Sequence, residues 1–163
     1  MIEVTTKPAW GESIREFAPL LREADRQEIY AHSGRTPEEA LRVSAGLSDV
    51  AACFYADGEP LLIFGVVQAS QGKPGLKPCG VPWMMGTDLI SSPKVSRQFA
   101  RESRKKVDEL LRVRYSALTN ITDARNKVHH RWLSWCGFKY LRTVPVGAFA
   151  TPFYEFIRIE NNV

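Results

Sequence analysis

The spacing of apolar and polar residues along the chain predicts a mixed α/β protein. Apolar residues recur at helical intervals in segments 13–31, 36–45, 93–115 and 126–136. Shorter apolar runs, typical of strands, lie at 2–5, 50–56, 60–68, 81–90, 116–122, 139–144 and 153–159. We therefore expect the order β-α-α-β-β-β-α-β-α-β-β, with a mixed central sheet of about seven strands flanked by about four helices.

Short-range signals set several element ends. Thr36 and Glu39 have the spacing of a capping box, which predicts a helix starting between them. The pair Asp57-Gly58 separates two apolar runs and predicts a tight hairpin, because such a turn needs positive φ. Pro19 favours a regular helix only from that residue onward, after a looser lead-in.

The order of the elements also predicts which strands are neighbours. Strands 81–90 and 116–122 are joined by a helix, and a crossover of this kind connects parallel strands. The stretch 69–82 is rich in Gly and Pro and predicts an exposed loop. The closing strand 153–159 is the candidate edge strand, through which a homodimer could form.

Length and composition narrow the class of protein. The 163 residues fit one compact domain spanning 1–163. The chain shows no basic-then-apolar signal pattern and no apolar run of bilayer length, so we expect a cytoplasmic protein without a membrane partner. Cys53, Cys79 and Cys136 are widely spaced and odd in number, which favours reduced packing thiols over a disulfide framework or a zinc site.

Positive charge is concentrated in one predicted helix. Segment 94–114 contains eight basic and three acidic residues, an excess larger than the net charge of +4 for the whole chain. Such a segment either faces an anion or is a solvated basic surface. A nucleic-acid partner is not favoured, because the segment lacks interleaved aromatic residues and any known binding motif.

A local pattern near the C-terminus resembles the GNAT superfamily of N-acetyltransferases. In that fold a strand is followed by Asn, a short helix and a Gly-Phe pair, and here Asn126, Gly137 and Phe138 stand at the corresponding spacing. The order of the predicted elements is similar to the GNAT order as well. The resemblance implies a GNAT-like α/β domain.

A second resemblance is to the internal virion protein A family of short-tailed phages. The similar features are Pro82-Trp83, Thr87-Asp88, a basic helix ending at Tyr115, and the stretch from Asn126 to Gly137. They fall between residues 81 and 158, about half of the chain. This resemblance implies a phage protein that acts in virion assembly.

The GNAT resemblance implies acetyl-CoA as the cofactor and an amine of unknown identity as the acceptor. The cofactor arm would enter a notch between two splayed parallel strands, here 84–88 and 118–122. The residues implied in binding this arm are Met85, Gly86, Thr87, Asn120 and Asn126. Gly86 marks either a strand bulge beside a ligand or a position where a side chain would crowd the core.

The phosphate loop of the GNAT pattern is altered in this sequence. The usual loop is rich in glycine and leads into a helix, whereas segment 91–103 contains no glycine and Pro93 removes one backbone donor. Lys94, Ser96 and Arg97 are the side chains that could hold phosphates instead. The alternative is a solvated basic face.

Acyl transfer requires a base for the amine and an acid for the leaving thiolate. Many GNAT enzymes have a tyrosine acid four residues before Gly-Phe, and that position here is Leu133. We expect Asp88 as the base and His129 as a proton shuttle, with Cys136, Ser134 and His130 as other nearby substitutes for the acid. Asp88 could equally be a helix cap, and His129 a surface or capping residue.

Two functions remain open from the sequence. The first is an acyl-CoA-dependent N-acyltransferase with a degenerate phosphate loop. The second is a catalytically inactive GNAT-fold protein that acts in virion morphogenesis through contacts with phage virion proteins. Leu133 and the glycine-free loop favour the second function, whereas the strand–helix–strand order around Asn126 favours the first.

Overall fold

The computed structural model describes residues 1–6, 10–69 and 75–160. Its seven strands are β1 (Ile2–Thr6), β2 (Val50–Ala56), β3 (Glu59–Gln68), β4 (Cys79–Gly86), β5 (Ala117–Asp123), β6 (Lys139–Val146) and β7 (Thr151–Ile159). Its α-helices are α1 (Trp10–Phe17), α2 (Glu23–Ser33), α3 (Pro37–Leu47), α4 (Pro93–Val113) and α5 (Lys127–Trp135). Two short 3₁₀ turns lie at Ala18–Leu20 and Asp88–Ser91.

The strands form one mixed sheet in the order β1-β2-β3-β4-β5-β7-β6. β4 and β5 are parallel, and the other neighbouring strands are antiparallel. The predicted fold class and the predicted parallel pair are confirmed. The prediction of 153–159 as an edge strand is wrong, since β7 is hydrogen-bonded to β5 on one side and to β6 on the other.

The helices cover both faces of the sheet. β3 is buried on both faces, and Leu61, Leu62 and Ile63 have no exposed surface, as expected for a central strand. One face packs α4 and α5 against a core that contains Leu62, and the other packs α1, α2 and α3 around Ile63. None of the described helices is long and apolar enough to cross a membrane.

Two of the short-range signals, the capping box and the hairpin turn, are confirmed. The Thr36 hydroxyl accepts from the Glu39 N–H, and the Glu39 carboxylate accepts from the Thr36 N–H. Asp57 and Gly58 both have positive φ in the β2–β3 hairpin. The loop expected at 69–82 is shorter, since β4 begins at Cys79, and residues 70–74 lie outside the described part.

The first predicted helix, 13–31, is divided in two. α1 ends at Phe17, the 3₁₀ turn that contains Pro19 follows, and α2 begins at Glu23. Regular helix therefore lies on both sides of Pro19. The prediction that a regular helix starts only at Pro19, after a looser lead-in, is wrong. The proline lies in the first positions of the 3₁₀ turn, where its missing N–H breaks no helical hydrogen bond.

Candidate functional site

The parallel strands β4 and β5 separate soon after they meet. Their pairing covers only Cys79↔Ala117 and Gly80↔Leu118. At the fork, Asn120 Nδ2 donates to the Pro82 carbonyl at 2.9 Å, and Asn120 Oδ1 accepts from the next N–H of β5 at 2.8 Å. The strands beyond this bridge are not hydrogen-bonded to each other, so the predicted splay is confirmed.

One residue of β4 directs both of its polar main-chain groups into the resulting crevice. Pro82 and Gly86 direct their polar main-chain groups away from β3, since the Gly86 N–H donates to Asp25 at 2.8 Å and its carbonyl accepts from the Arg22 N–H at 2.9 Å. Along a strand, each residue directs its N–H and its carbonyl to the same side, and successive residues alternate between the two sides. The N–H and carbonyl of Met84, midway between them, therefore also point away from β3 and into the crevice.

The crevice is a cavity of about 170 Å³ with lining residues from both faces of the sheet. On the face of α2 and α3 the lining includes the apolar Ile29 and Ala40 and the polar residues Asp25, Glu28, His32, Arg35 and Ser44. On the face of α4 and α5 it is apolar and includes Phe64, Met84, Trp132, Leu133 and Phe156. The cavity therefore has lining residues on both faces of the sheet, and its carboxylate and guanidinium groups lie on the face of α2 and α3.

A buried ion pair fixes the polar side of the crevice. Arg22 and Asp25 are only 6% and 4% exposed, and the guanidinium donates to both carboxylate oxygens at 2.6 and 3.1 Å. Asp25 also accepts from the N–H of Gly86 and, at 3.2 Å, from Asn126 Nδ2. The pair thereby joins the start of α2 to the end of β4 and to the start of α5.

Glu28 lies one turn after Asp25 on α2, and its carboxylate accepts from Asn126 Nδ2 at 2.8 Å. Desolvation by burial raises its pKa to about 7, and the negative charge of Asp25 acts in the same direction while the hydrogen bond from Asn126 opposes it. Glu28 therefore exchanges a proton near neutral pH beside the cavity. The sequence interpretation missed this residue, although its i, i+3 spacing from Asp25 was a usable signal.

Asn126 has a structural role that was predicted and a connecting role that was not. Its Oδ1 accepts from the His129 N–H at 3.4 Å, which confirms it as the N-cap of α5. Both donors of its amide are used by the protein, since they reach Asp25 and Glu28. The residue borders the crevice without being part of its lining.

His129 lines the crevice, as Asn120 and Met85 also do. Burial lowers the pKa of His129 to about 4, an effect that the charge of Asp25 partly opposes, so the ring is neutral at pH 7. Its Nδ1 lies 3.4 Å from the Thr122 hydroxyl. A neutral ring at this position can orient a substrate but holds no extra proton to donate.

No acid replaces the tyrosine of the GNAT pattern at Leu133, which is 1% exposed and packs against the cavity. Cys136 is fully buried outside the cavity lining, 3.8 Å from the Ser103 hydroxyl. Burial raises the pKa of the Cys136 thiol to about 11, so the thiol remains protonated in the core. Cys53 is also buried, and the three cysteines are unpaired.

Four other predicted site residues lie away from the crevice. Asp88 is exposed in the second 3₁₀ turn, and neither it nor Lys94, Ser96 or Arg97 lines the cavity. Ser96 Oγ and Arg97 Nε both donate to the carbonyl of Pro93, at 3.4 and 3.0 Å, so they fold back along the first turn of α4. Asp88, the predicted base, therefore does not line the crevice, whereas Glu28 does.

Gly86 and Thr87 belong to the framework of the crevice. Gly86 pairs with Leu62 in regular register, so the strand has no bulge there. A Cβ at Gly86 would meet its nearest atom, the Leu61 carbonyl oxygen, at an ordinary 3.6 Å, so crowding does not require the glycine either. Thr87 is buried, and its hydroxyl donates to the Pro60 carbonyl at 2.8 Å.

Comparison with solved structures identifies the fold. The GNAT-family acetyltransferase of Streptococcus pneumoniae matches with a TM-score of 0.63 and 12% identity over 99% of this chain and 100% of its own. A GCN5-related N-acetyltransferase from Kribbella flavida gives 0.67 and 17%, over 97% of each chain. The yncA protein of Salmonella typhimurium, solved with its cofactor acetyl-CoA, gives 0.65 and 11%, over 99% and 95%.

These likenesses show that the chain has the GNAT fold. No family model matches the sequence, and no curated protein matches it. The resemblance to internal virion protein A therefore stays a prediction.

Proposed function

We propose that this protein is an acyl-CoA-dependent N-acyltransferase in which Glu28 is the general base. The observation that carries the proposal is a carboxyl group with a pKa of about 7 on the wall of a cavity between two separated parallel strands. A base whose pKa lies near the working pH is both largely ionised and basic enough to accept a proton from an amine.

The acyl donor fits the geometry of β4. Its pantetheine arm would lie between β4 and β5 as an added strand and hydrogen-bond to the main-chain groups of Met84. Asn120 closes the fork and sets how far the arm can advance. The phosphates would rest at the first turn of α4, where Lys94 and the remaining guanidinium N–H groups of Arg97 offer side-chain donors in place of a glycine-rich loop. Ser96 would join them by turning its hydroxyl from the Pro93 carbonyl.

The acceptor amine would enter from the face of α2 and α3. Asp25 is paired with Arg22, and Arg35 also lines that end of the cavity, so Glu28 is the carboxylate that could pair with a cationic amine there. Glu28 takes a proton from the ammonium, the nitrogen attacks the thioester carbonyl, the C–N bond forms and the C–S bond breaks. The nitrogen releases its second proton to water as the amide forms, and Glu28 later returns its proton to solvent. Because Leu133 cannot donate, the thiolate takes its proton from water, which suits a thiol whose pKa is roughly 8.5.

A second candidate is a non-catalytic GNAT-fold protein that assembles with phage virion proteins in the host cytoplasm. Two observations favour it. Leu133 stands where the acid would be, and the first turn of α4 contains no glycine to cradle phosphates. On this alternative the crevice is an inherited feature of the fold, and acyl-CoA neither binds nor turns over.

Thiol release from acetyl-CoA tests the proposal, with primary amines that include polyamines and peptides with a free N-terminus. We expect release that depends on an amine and falls by roughly 10²- to 10⁴-fold in Glu28→Gln. Glu23→Gln is the control, because Glu23 is an exposed carboxylate on the same helix. Absence of both acetyl-CoA binding and thiol release would support the non-catalytic alternative.

A further inference from the structure

A second and larger cavity lies on the face of the sheet covered by α4. Its volume is about 720 Å³, within the range of roughly 300 to 1,000 Å³ typical of small-molecule sites. This cavity, which we call the groove, lies between α4 and the strands β2 and β3. Its walls are mainly apolar and include Val50, Phe54, Leu62, Phe99, Val107 and Leu110.

The charged residues around this groove are already paired. Lys106 contacts Glu109 at 2.9 Å, and Glu102 contacts Arg101 at 3.1 Å. Arg114 lies 3.8 Å from a carboxylate oxygen of Asp49. Because these charges are satisfied within the protein, the groove presents an apolar interior to an occupant.

The groove adjoins the crevice between β4 and β5. Phe64, Met84 and Trp132 line both cavities, so these side chains lie at the boundary between them. Met84 has an unbranched, flexible side chain that can change rotamer at low cost. Its main-chain groups are also the ones that face the crevice, which places the groove next to the reacting carbonyl of a bound thioester.

We propose that the acyl donor carries an extended apolar acyl chain, which passes Met84 and occupies the groove beneath α4. The inference rests on the proposed function, because the chain must be attached to a thioester held in the crevice. The methyl of an acetyl group needs about as much space as one water molecule, roughly 30 Å³. The groove is many times larger than that, and its apolar lining suits a hydrocarbon chain.

Chain-length dependence of binding tests this inference. Isothermal titration of the full chain with acetyl-CoA and octanoyl-CoA compares donors that differ by six methylenes. Burial of each methylene strengthens binding about fourfold, so we expect octanoyl-CoA to bind at least about 100-fold more tightly. Equal affinities for the two donors would overturn the acyl-chain inference and leave the proposed function standing. Failure of both donors to bind would overturn both.

Two variants test whether the acyl chain lies in the groove. Ala52, a lining residue on β2, is replaced by Phe to fill the groove, and we expect the advantage of octanoyl-CoA to fall below about fivefold. Val113→Trp narrows the end of the groove from an exposed helix position, which avoids disturbing the core, and should lower the advantage at least about tenfold. Leu47→Phe, exposed on α3 at the other face, is the control. If octanoyl-CoA keeps its full affinity advantage over acetyl-CoA in both groove variants, the acyl chain does not lie in the groove.

Discussion

The Asn126 amide donates to the Glu28 carboxylate at 2.8 Å, and this contact joins the first turn of α5 to the wall of the crevice. The same amide caps α5 through its oxygen. A hydrogen bond to the ionised carboxylate lowers its pKa, but burial outweighs it and leaves the pKa near 7. The residue that starts the helix therefore also orients the proposed base.

Activity should follow the ionisation of Glu28. The ionised carboxylate is the form that accepts a proton, so kcat/KM should rise with pH through an apparent pKa near 7. In Glu28→Gln the residual activity should lose this inflection, while the exposed control Glu23→Gln should keep it. A steady-state pH profile from 5 to 9 measures both, and an unchanged inflection in Glu28→Gln would assign it to another group.

Stability should also depend on Glu28, with a definite sign. Its folded-state pKa is raised from 4.5 to about 7, so the folded protein holds this proton more tightly than the unfolded chain. The contribution of Glu28 to stability is full below pH 4.5 and is lost as pH rises through about 7. The wild type should therefore lose about 2 kcal/mol of unfolding free energy from this group when the pH is raised from 5 to 8. Glu28→Gln lacks the group, so its unfolding free energy should rise relative to that of the wild type by the same amount over this range.

Urea unfolding at the two pH values measures that difference, and Glu23→Gln should show no comparable change. If the difference in unfolding free energy between Glu28→Gln and the wild type is the same at both pH values, Glu28 titrates normally in the folded protein.

Loss of the Asn126 side chain should destabilise the domain. Asn126→Ala removes the N-cap and takes one donor each from Asp25 and Glu28, so we expect a cost of about 1 to 3 kcal/mol. Asn126→Ser retains a capping hydroxyl and should recover part of that cost. Thermal unfolding of both variants separates the two roles, and an unchanged Tm in Asn126→Ala would contradict both.

The β6–β7 hairpin depends on a glycine that touches α2. Gly147 has φ of 70°, and a Cβ there would lie 1.9 Å from the Ala31 carbonyl oxygen. Gly147→Ala should therefore cost at least about 2 kcal/mol, because backbone must move and the left-handed conformation is strained. Gly46→Ala is the matched control. A Cβ at Gly46 meets nothing within 4 Å, so that change should be neutral or stabilise α3 by up to about 1 kcal/mol. Equal melting temperatures for the two variants would contradict the contact.

Structural features that depend on residues close together in the sequence could be predicted from the sequence alone. The Thr36–Glu39 capping box and the Asp57-Gly58 turn involve residues at most three apart, so their side chains specify local geometry directly. The parallel pairing of β4 and β5 also followed, because a helical crossover restricts strand direction. The crevice itself was implied by the resemblance to the GNAT fold.

The chemistry of the crevice was not readable in the same way. Glu28 acquires its raised pKa from burial and from a partner 98 residues away in the chain. Asp88 has a favourable position at the end of a strand in the sequence, yet the 3₁₀ turn leaves it exposed. Desolvation depends on which elements pack together, and a pattern along one chain contains little information about it.

The central claim is that an acyl-CoA thioester lies between β4 and β5, and a structure of the protein with bound CoA tests it most directly. The account predicts the pantetheine arm between the separated strands, hydrogen-bonded to the main chain of Met84, with its sulfur on the same cavity as the Glu28 carboxylate. CoA bound elsewhere, or an empty crevice at saturating CoA, would contradict the account.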